Sequence, residues 1–150
     1  MAQSLARIIV HIVFGTKNRQ SWLTTAVRPK LYAFMAGVLK KIECAPILIG
    51  GVDDHVHILC ALSKNHAAYR VVEEVKKHSS KWVKSQDGSF ATFRWQAGYG
   101  VFSVSQSKIQ DVRRYIANQE QHHRRMSFQD EYRALLEKHG VEFDERYLWD

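Results

Sequence analysis

Apolar residues in the first half of the chain alternate between unbroken runs and helical spacing, which predicts strands separated by a helix. Residues 5–14 form a nearly continuous apolar run rich in Ile and Val, typical of a central strand buried on both faces. From about residue 25 to residue 43 the apolar positions recur at helical spacing, and Pro29 falls in the first turn, where its missing N–H costs little. Residues 47–62 hold two apolar runs interrupted by a Gly-Gly pair, which indicates a hairpin or bent pair of strands.

The same alternation continues in the second half of the chain. Residues 67–84 are predicted to form a second crossover helix and residues 100–104 a last strand. Ser107, which precedes a glutamine by three residues, matches a capping box and predicts the start of a further helix. A final helix is expected to begin at Ser127 and to end at Gly140.

Strand, helix, two strands, helix, strand is the βαββαβ order of a ferredoxin-like α+β fold. We therefore expect an antiparallel sheet with both crossover helices on one face, a tyrosine-bearing helix and a further short helix appended at the C-terminus. The second face of the sheet should be free for the tyrosine-bearing helix and a ligand. A length of 150 residues suits one domain, residues 1–150, with a single sizeable core.

The balance of charges favours a polyanion as partner. The chain has 22 Lys and Arg residues against 15 Asp and Glu residues, a net charge of +7 with neutral histidines. Charge alone does not separate DNA from RNA. The side chains expected to contact a nucleic-acid backbone are Lys17, Arg19, Lys77, Lys81, Lys84 and Arg124.

Cysteine usage and terminal sequence restrict the class of protein further. Cys44 and Cys60 do not form a Cys-x-x-Cys motif, so we expect two reduced core residues and neither a disulfide framework nor a structural zinc site. The first residues lack the pattern of a signal peptide, and no apolar run approaches membrane-spanning length. We therefore expect a cytoplasmic protein without a membrane partner.

A pair of histidines, His55 and His57, stands in the second of the paired strands. Residues two apart in a strand share a face, so both imidazoles project together while Val56 and Ile58 point to the opposite, buried side. Such a pair can provide two nitrogens to a metal ion, although it is more often two ordinary polar residues on a sheet. Asp53 shares the histidine side and could orient a ligand or bind metal, but an Asp near a Gly-rich turn usually serves turn geometry.

Tyr115 and Gln119 are four residues apart in a segment of helical spacing, so a phenol and an amide lie together on one helix face. An unperturbed Tyr hydroxyl has a pKa of about 10, and it attacks a phosphate at neutral pH only where the target is polarised. A divalent ion held by His55, His57 and Gln119 would polarise it, because these neutral ligands leave the ion its full charge.

The His55-Val-His57 motif followed by Tyr115-x-x-x-Gln119 resembles the HUH endonucleases, specifically the small single-tyrosine transposases of the insertion sequence 200/605 type. The likeness covers nearly the whole chain and includes three longer stretches, His11-Ile-Val-Phe-Gly-Thr-Lys-Asn-Arg19, Trp95-Gln-Ala-Gly-Tyr-Gly-Val-Phe-Ser-Val-Ser105 and Tyr115-Ile-Ala-Asn-Gln-Glu-Gln-His-His123. The order and spacing of these stretches make the resemblance specific. Phe14 and Asn18 depart from the Trp and Tyr of many relatives, and we expect them to tune packing or DNA contact without changing the chemistry.

The resemblance implies that His55, His57 and Gln119 bind Mg or Mn and that Tyr115 is the nucleophile. In this family the tyrosine attacks single-stranded DNA and leaves a 5′-phosphotyrosine and a free 3′-hydroxyl. The resemblance further implies a homodimer in which the tyrosine helix of one subunit completes the metal site of the other, acting on the hairpin ends of a mobile element.

Other functions remain compatible with these motifs. A domesticated nuclease acting on genomic palindromic repeats would have the same active site, whereas a non-catalytic DNA-hairpin-binding protein would use the basic and aromatic residues alone. A hydrolase with a water nucleophile is disfavoured because it leaves the Tyr-Gln spacing unexplained. His122 and His123 could each be a ligand, a proton shuttle or a basic contact.

Overall fold

The computed structural model describes residues 2–150 and contains a four-stranded antiparallel sheet. Its strands are β1 Ile8–Gly15, β2 Pro46–Gly51, β3 His55–Leu62 and β4 Gly100–Val104. Its helices are α1 Arg28–Lys41, α2 Ala68–Lys84, α3 Ile109–Ala117, α4 Gln119–His122 and α5 Phe128–Lys138. The strand order β2-β3-β1-β4, with β1 paired on both sides, confirms the ferredoxin-like prediction and the central position of the first strand.

One face of the sheet packs against α1 and α2. Val56 and Ile58 of β3 point into this layer, as the alternation of the strand predicts, and are fully buried. The helices meet them through side chains at helical spacing, namely Leu31, Met35, Leu39, Val71, Val75 and Val83. Both crossover helices therefore cover the same face, as expected.

The opposite face carries the histidines and is covered more fully than we predicted. Ile109 and Ile116 of α3 pack on this face in one apolar cluster. In a second cluster, Phe128, Tyr132 and Leu136 of α5 also pack against the sheet. The prediction of a face free for the tyrosine helix and DNA is therefore wrong as far as α5 is concerned, because the apolar stripe of that helix is buried there.

The C-terminal helices begin differently from each other. Ser107 does not cap the tyrosine-bearing helix: a short 3-10 turn precedes α3, which has no side-chain hydrogen bond at its N-terminus, so the capping-box prediction is wrong. The helix is interrupted at Asn118, with φ −100° and ψ 20°. Ser127 does cap α5, where its Oγ accepts a hydrogen bond from the Asp130 N–H at 3.1 Å, and Gly140 follows the helix with φ 66°.

A glycine on β2 allows α3 to approach the sheet closely. A Cβ atom at Gly50 would lie 2.8 Å from Cγ2 of Ile116 and 3.0 Å from its carbonyl oxygen. Only a residue without a side chain fits this contact without displacing the helix. Gly50 therefore helps to fix the helix that carries Tyr115.

Two of the simpler expectations can also be compared with the structure. Cys44 and Cys60 are free and buried, as predicted. No helix within residues 2–150 is both long and apolar enough to cross a membrane.

Candidate active site

His55 and His57 are fully buried and are each held through one ring nitrogen. His55 Nδ1 lies 2.7 Å from Oδ1 of Asp54, and His57 Nδ1 lies 2.7 Å from Nε2 of His11. Each imidazole therefore presents its Nε2 to the space between the sheet and α5. Histidines that bind metals are usually oriented in this way, with the second nitrogen bonded to a carboxylate or another polar group.

The carboxylate that orients His55 belongs to Asp54, whereas the sequence pattern pointed to Asp53. The chain bends at residues 53 and 54 before β3 begins, so the two-residue alternation of the strand does not extend to Asp53. The carbonyl oxygen of Asp53 instead accepts a hydrogen bond from the Leu23 N–H at 2.9 Å. The contacts of Asp53 are therefore those of its backbone in the bend.

Gln119 lies beside His55, one of the two histidines with which the sequence analysis grouped it. Its Oε1 is 3.0 Å from Nε2 of His55 and 3.0 Å from Nε2 of His123, and the residue is almost fully buried. The interruption at Asn118 does not separate Gln119 from Tyr115. The ring of Tyr115 lies 5.6 Å from the ring of His57 between centroids.

The residue that the sequence analysis missed is Glu131 of α5. Its Oε1 lies 3.1 Å from Nε2 of His55, 3.0 Å from Nε2 of His57 and 3.1 Å from Nε2 of His123. Its Oε2 accepts hydrogen bonds from the hydroxyl of Tyr115 and from the Gln119 amide. The carboxylate therefore contacts the tyrosine, the glutamine and three imidazoles.

One signal in the sequence could have revealed Glu131. It stands between Phe128 and Tyr132 on the buried stripe of α5, where an apolar residue is expected. Without the structure it resembles an ordinary acidic residue near a helix N-terminus, which the helix dipole favours. A charged residue on the apolar face of an amphipathic helix usually has a partner, and here the partners come from β3 and from α4.

The pKa shifts follow from burial opposed by this hydrogen-bonding network. Burial disfavours the charged form of His55, but hydrogen bonds to Asp54 and Glu131 outweigh it and raise the pKa to about 9. Burial lowers the pKa of His57 below its usual value. Burial of Glu131 is outweighed by hydrogen bonds to His123, His55 and His57, which hold the pKa of the carboxyl far below its usual range.

Burial, followed by the charge and hydrogen bond of Glu131, raises the pKa of Tyr115. The phenol is therefore protonated at neutral pH, and its proton is directed at a carboxylate oxygen. An uncharged phenol is a weak nucleophile, so the site requires a polarised target for attack.

The two adjacent histidines take different positions at the site. His123 belongs to the buried cluster, since its Nε2 contacts both Gln119 and Glu131. His122 packs against the ring of Tyr115 at 5.4 Å between centroids. Its Nε2 lies 3.3 Å from Oε2 of Glu131 without the alignment of a hydrogen bond.

The donors present fit a divalent cation. The potential ligand atoms of His55, His57, His123 and Glu131 lie within 4.8 Å of one another, and the Gln119 amide oxygen adjoins them. Imidazole and carboxylate groups are usual ligands of divalent transition metals, and a carboxylate offsets part of the cation charge in a buried site.

The basic residues predicted to bind DNA fall into two groups. A cavity of about 590 Å³ beside His122 is lined by Arg124 and Arg125, and a cavity of about 290 Å³ is lined by Arg19 and Phe128, whose ring stacks on His55. Lys17 lies in the same short turn as Arg19, after β1. The other three candidates, which are exposed on α2 on the far side of the sheet, are not brought to this site: Lys77, Lys81 and Lys84.

The resemblance implied that the tyrosine helix completes the site of a second subunit. The structure describes one chain, and in it Tyr115 contacts Glu131 and lies beside His57 of the same chain. The homodimer itself stays a prediction.

Comparisons with known proteins agree with this fold. A crystal structure of a protein from Deinococcus radiodurans R1, described as a transposase, matches with a TM-score of 0.62 at 20% identity, covering 79% of this chain and 98% of that chain. A REP-associated tyrosine transposase bound to a REP hairpin matches with a TM-score of 0.53 at 14% identity, covering 79% of this chain and 70% of that chain.

At these identities the two structures show the fold alone, and a search of curated proteins gave no match. The sequence itself carries the assignment. Residues 4–119 match the model of the family described as "Transposase IS200 like", which is more than half of the chain. The chain therefore belongs to the IS200-like transposase family.

Proposed function

We propose that this transposase cuts and rejoins single-stranded DNA through a covalent 5′-phosphotyrosine at Tyr115. The observation that carries the proposal is the single buried cluster joining the nucleophile to the metal-binding nitrogens. The Tyr115 hydroxyl donates to one oxygen of Glu131, and the other oxygen lies 3.0 Å from Nε2 of His57. A phosphate bound to a cation at these nitrogens would therefore lie close to the phenol oxygen.

His55, His57 and Gln119 would hold the divalent cation, Mg or Mn, which would polarise the scissile phosphate and stabilise its developing charge. Oη of Tyr115 attacks the phosphorus, a new Oη–P bond forms and the P–O3′ bond breaks. In the overall balance the phenol loses one proton and the released 3′-oxygen gains one. Because the phosphodiester bond is exchanged and not hydrolysed, a 3′-hydroxyl can reverse the step without ATP.

The substrate that we propose is single-stranded DNA adjoining a hairpin at the end of a mobile element. We expect Lys17, Arg19 and Arg124 to contact phosphates near the cut. This is supported by the cavities that Arg19 and Arg124 line next to residues of the site, and by the position of Lys17 beside Arg19. The exposed lysines of α2 lie on the other side of the sheet and would contact only DNA that extends past the cleavage site. The fold neighbour bound to a REP hairpin supports a folded DNA end as ligand.

That neighbour also favours a second candidate, a domesticated nuclease that acts on palindromic repeats. Its chemistry would be the same, and the two differ in which DNA is cut. A hairpin-binding protein without catalysis differs in chemistry, since it would form no covalent bond to DNA.

The test is detection of a covalent DNA adduct on a denaturing gel with 3′-labelled single strands and Mg²⁺ or Mn²⁺. Attack by Tyr115 links the protein to the 5′-phosphate, so the label downstream of the break shifts with the protein. We expect an adduct with wild type and with Tyr69→Phe, an exposed tyrosine of α2, and none with Tyr115→Phe or Gln119→Ala.

An adduct that persists in Tyr115→Phe would assign the nucleophile to another residue. Tight binding of hairpins without any adduct would show that the protein binds DNA and does not cleave it. The same assay distinguishes the transposase from the domesticated nuclease when two substrates are compared. A transposase should cut DNA from the ends of a mobile element, and a domesticated nuclease should cut DNA from dispersed palindromic repeats.

A further inference from the structure

We infer that Glu131 and His123 are two additional metal ligands, so that this chain builds a three-imidazole, one-carboxylate site that prefers Mn²⁺ to Mg²⁺. The inference rests on the proposed function in that it concerns the same site. It extends the ligand set that the family resemblance implies, which consists of His55, His57 and Gln119.

The distances between the donor atoms support a shared cation. Five pairs of potential ligand atoms from His55, His57, Gln119, His123 and Glu131 are separated by 3.0 to 3.1 Å. Adjacent ligands of an octahedral ion with bonds of about 2.1 Å lie about 3.0 Å apart. The side chains are thus already spaced as neighbouring ligands of one ion.

Glu131 is placed so that its two oxygens serve different groups. Oε1 faces the three imidazole nitrogens, while Oε2 accepts the hydroxyl proton of Tyr115 in a hydrogen bond. The carboxylate therefore joins the metal position to the nucleophile. It is 1% exposed, and a charged group at such depth is stable only when it is paired.

The two additional ligands come from a part of the chain that lies beyond the family match, which ends at residue 119. His123 follows α4, and Glu131 is fixed by the start of α5. That start is fixed by the Ser127 cap and by Phe128, whose ring stacks on His55 with a centroid distance of 4.2 Å. A rigid attachment of this kind is what a ligand requires and what a mobile terminal segment lacks.

The composition of the ligand set determines the preferred ion. Mg²⁺ favours oxygen ligands and retains several waters, whereas imidazole nitrogens suit transition metals. Three nitrogens in a buried site leave few positions for water, so Mn²⁺ should bind more tightly than Mg²⁺.

The experiment is calorimetric titration of the metal-free protein with MnCl₂ and with MgCl₂ in the absence of DNA. We expect Mn²⁺ to bind wild type at least tenfold more tightly than Mg²⁺. Glu131→Gln and His123→Asn should each weaken Mn²⁺ binding by more than about 100-fold, because loss of an outer partner alone costs about 10–100-fold. Matched controls at exposed positions away from the site, Glu137→Gln in α5 and His78→Asn in α2, should bind Mn²⁺ like wild type.

Several results would overturn the inference. Equal or tighter Mn²⁺ binding by Glu131→Gln would mean that the carboxylate obstructs the site, and tighter binding of Mg²⁺ to wild type would contradict the nitrogen-rich set. The wild-type comparison and His123→Asn keep the test decisive if Glu131→Gln does not fold. Because no DNA is present, these titrations stand or fail independently of the adduct assay.

Discussion

His55 and His57, which we propose as metal ligands, are each oriented through their other ring nitrogen, and the two partners differ in charge. His55 is paired with the Asp54 carboxylate, whereas His57 is paired with the neutral ring of His11, whose pKa burial holds well below its usual value. A neutral His11 can accept the Nδ1 proton of His57, which leaves the Nε2 lone pair of His57 directed at the site. Both orientations therefore favour Nε2 as the ligand atom.

Substitution of Asp54 tests this orientation directly. Asp54→Asn keeps the size of the side chain but removes the charge that holds the His55 ring, so Mn²⁺ affinity should fall by about 10–100-fold. Asp53→Asn is the matched control, because its side chain does not contact the ring, and it should leave affinity unchanged. Calorimetric titration of both variants measures the difference, and equal losses would show a general effect of the bend.

At the scale of elements, the periodicity of apolar residues was sufficient to predict the sheet and the helices α1 and α2 that cover one of its faces. Runs of apolar residues gave all four strands, and helical spacing gave α1, α2 and α5. The local capping rule failed at the start of α3. Ser107 has a capping-box pattern, but the chain forms a 3-10 turn before α3.

The same contrast holds for the site. Two-residue and four-residue spacings grouped His55 with His57 and Tyr115 with Gln119. The first pair lies within one strand, and the second pair still meets at Glu131 across the interruption at Asn118. Glu131 contacts these residues only because α5 folds back over the sheet. The spacing of residues along the chain cannot predict that contact. Asp54 was missed because the bend before β3 breaks the alternation on which the reasoning depended.

The contact between β2 and α3 offers a prediction about stability. Gly50→Ala would place a methyl group 2.8 Å from Cγ2 of Ile116, so α3 must shift, at a cost of about 1–3 kcal/mol in the free energy of unfolding. Gly37→Ala in α1 meets no atom within 4 Å and should stabilise by about 0.5–1 kcal/mol. Urea unfolding of both variants measures the sign of each change in the free energy of unfolding. An unchanged stability of Gly50→Ala would show that α3 does not pack tightly against β2.

Considered as a whole, the molecule packs α1 and α2 on one face of the sheet and holds the candidate site on the other, among the apolar side chains of α3 and α5. α1 and α2 bury the apolar face, and the basic stripe of α2 points away from the site. Tyr115, its neighbours and the residues proposed as ligands lie together on the other face, and all of them come from one chain. A subunit that exchanged its tyrosine helix would have to remove Ile116 from Gly50 and the Tyr115 hydroxyl from Glu131.

Mixing two inactive variants distinguishes a site within one chain from a site shared between subunits. Tyr115→Phe lacks the proposed nucleophile and His57→Asn lacks a proposed ligand, so a site shared between subunits would recover one intact copy in each mixed dimer. A site within one chain recovers none, and we expect the mixture to form no adduct because the structure unites both residues in one chain.

Different affinity tags on the two variants, purified in sequence, would isolate any mixed dimers before the assay. A mixture of tagged wild type with Tyr115→Phe is the control, and it must form the adduct in either arrangement. An adduct from the pair of inactive variants would require Tyr115 of one chain to reach the histidines of its partner. The packing of α3 on β2 would then have to form between subunits, and Gly50→Ala in the chain that carries the intact histidines should abolish that recovery.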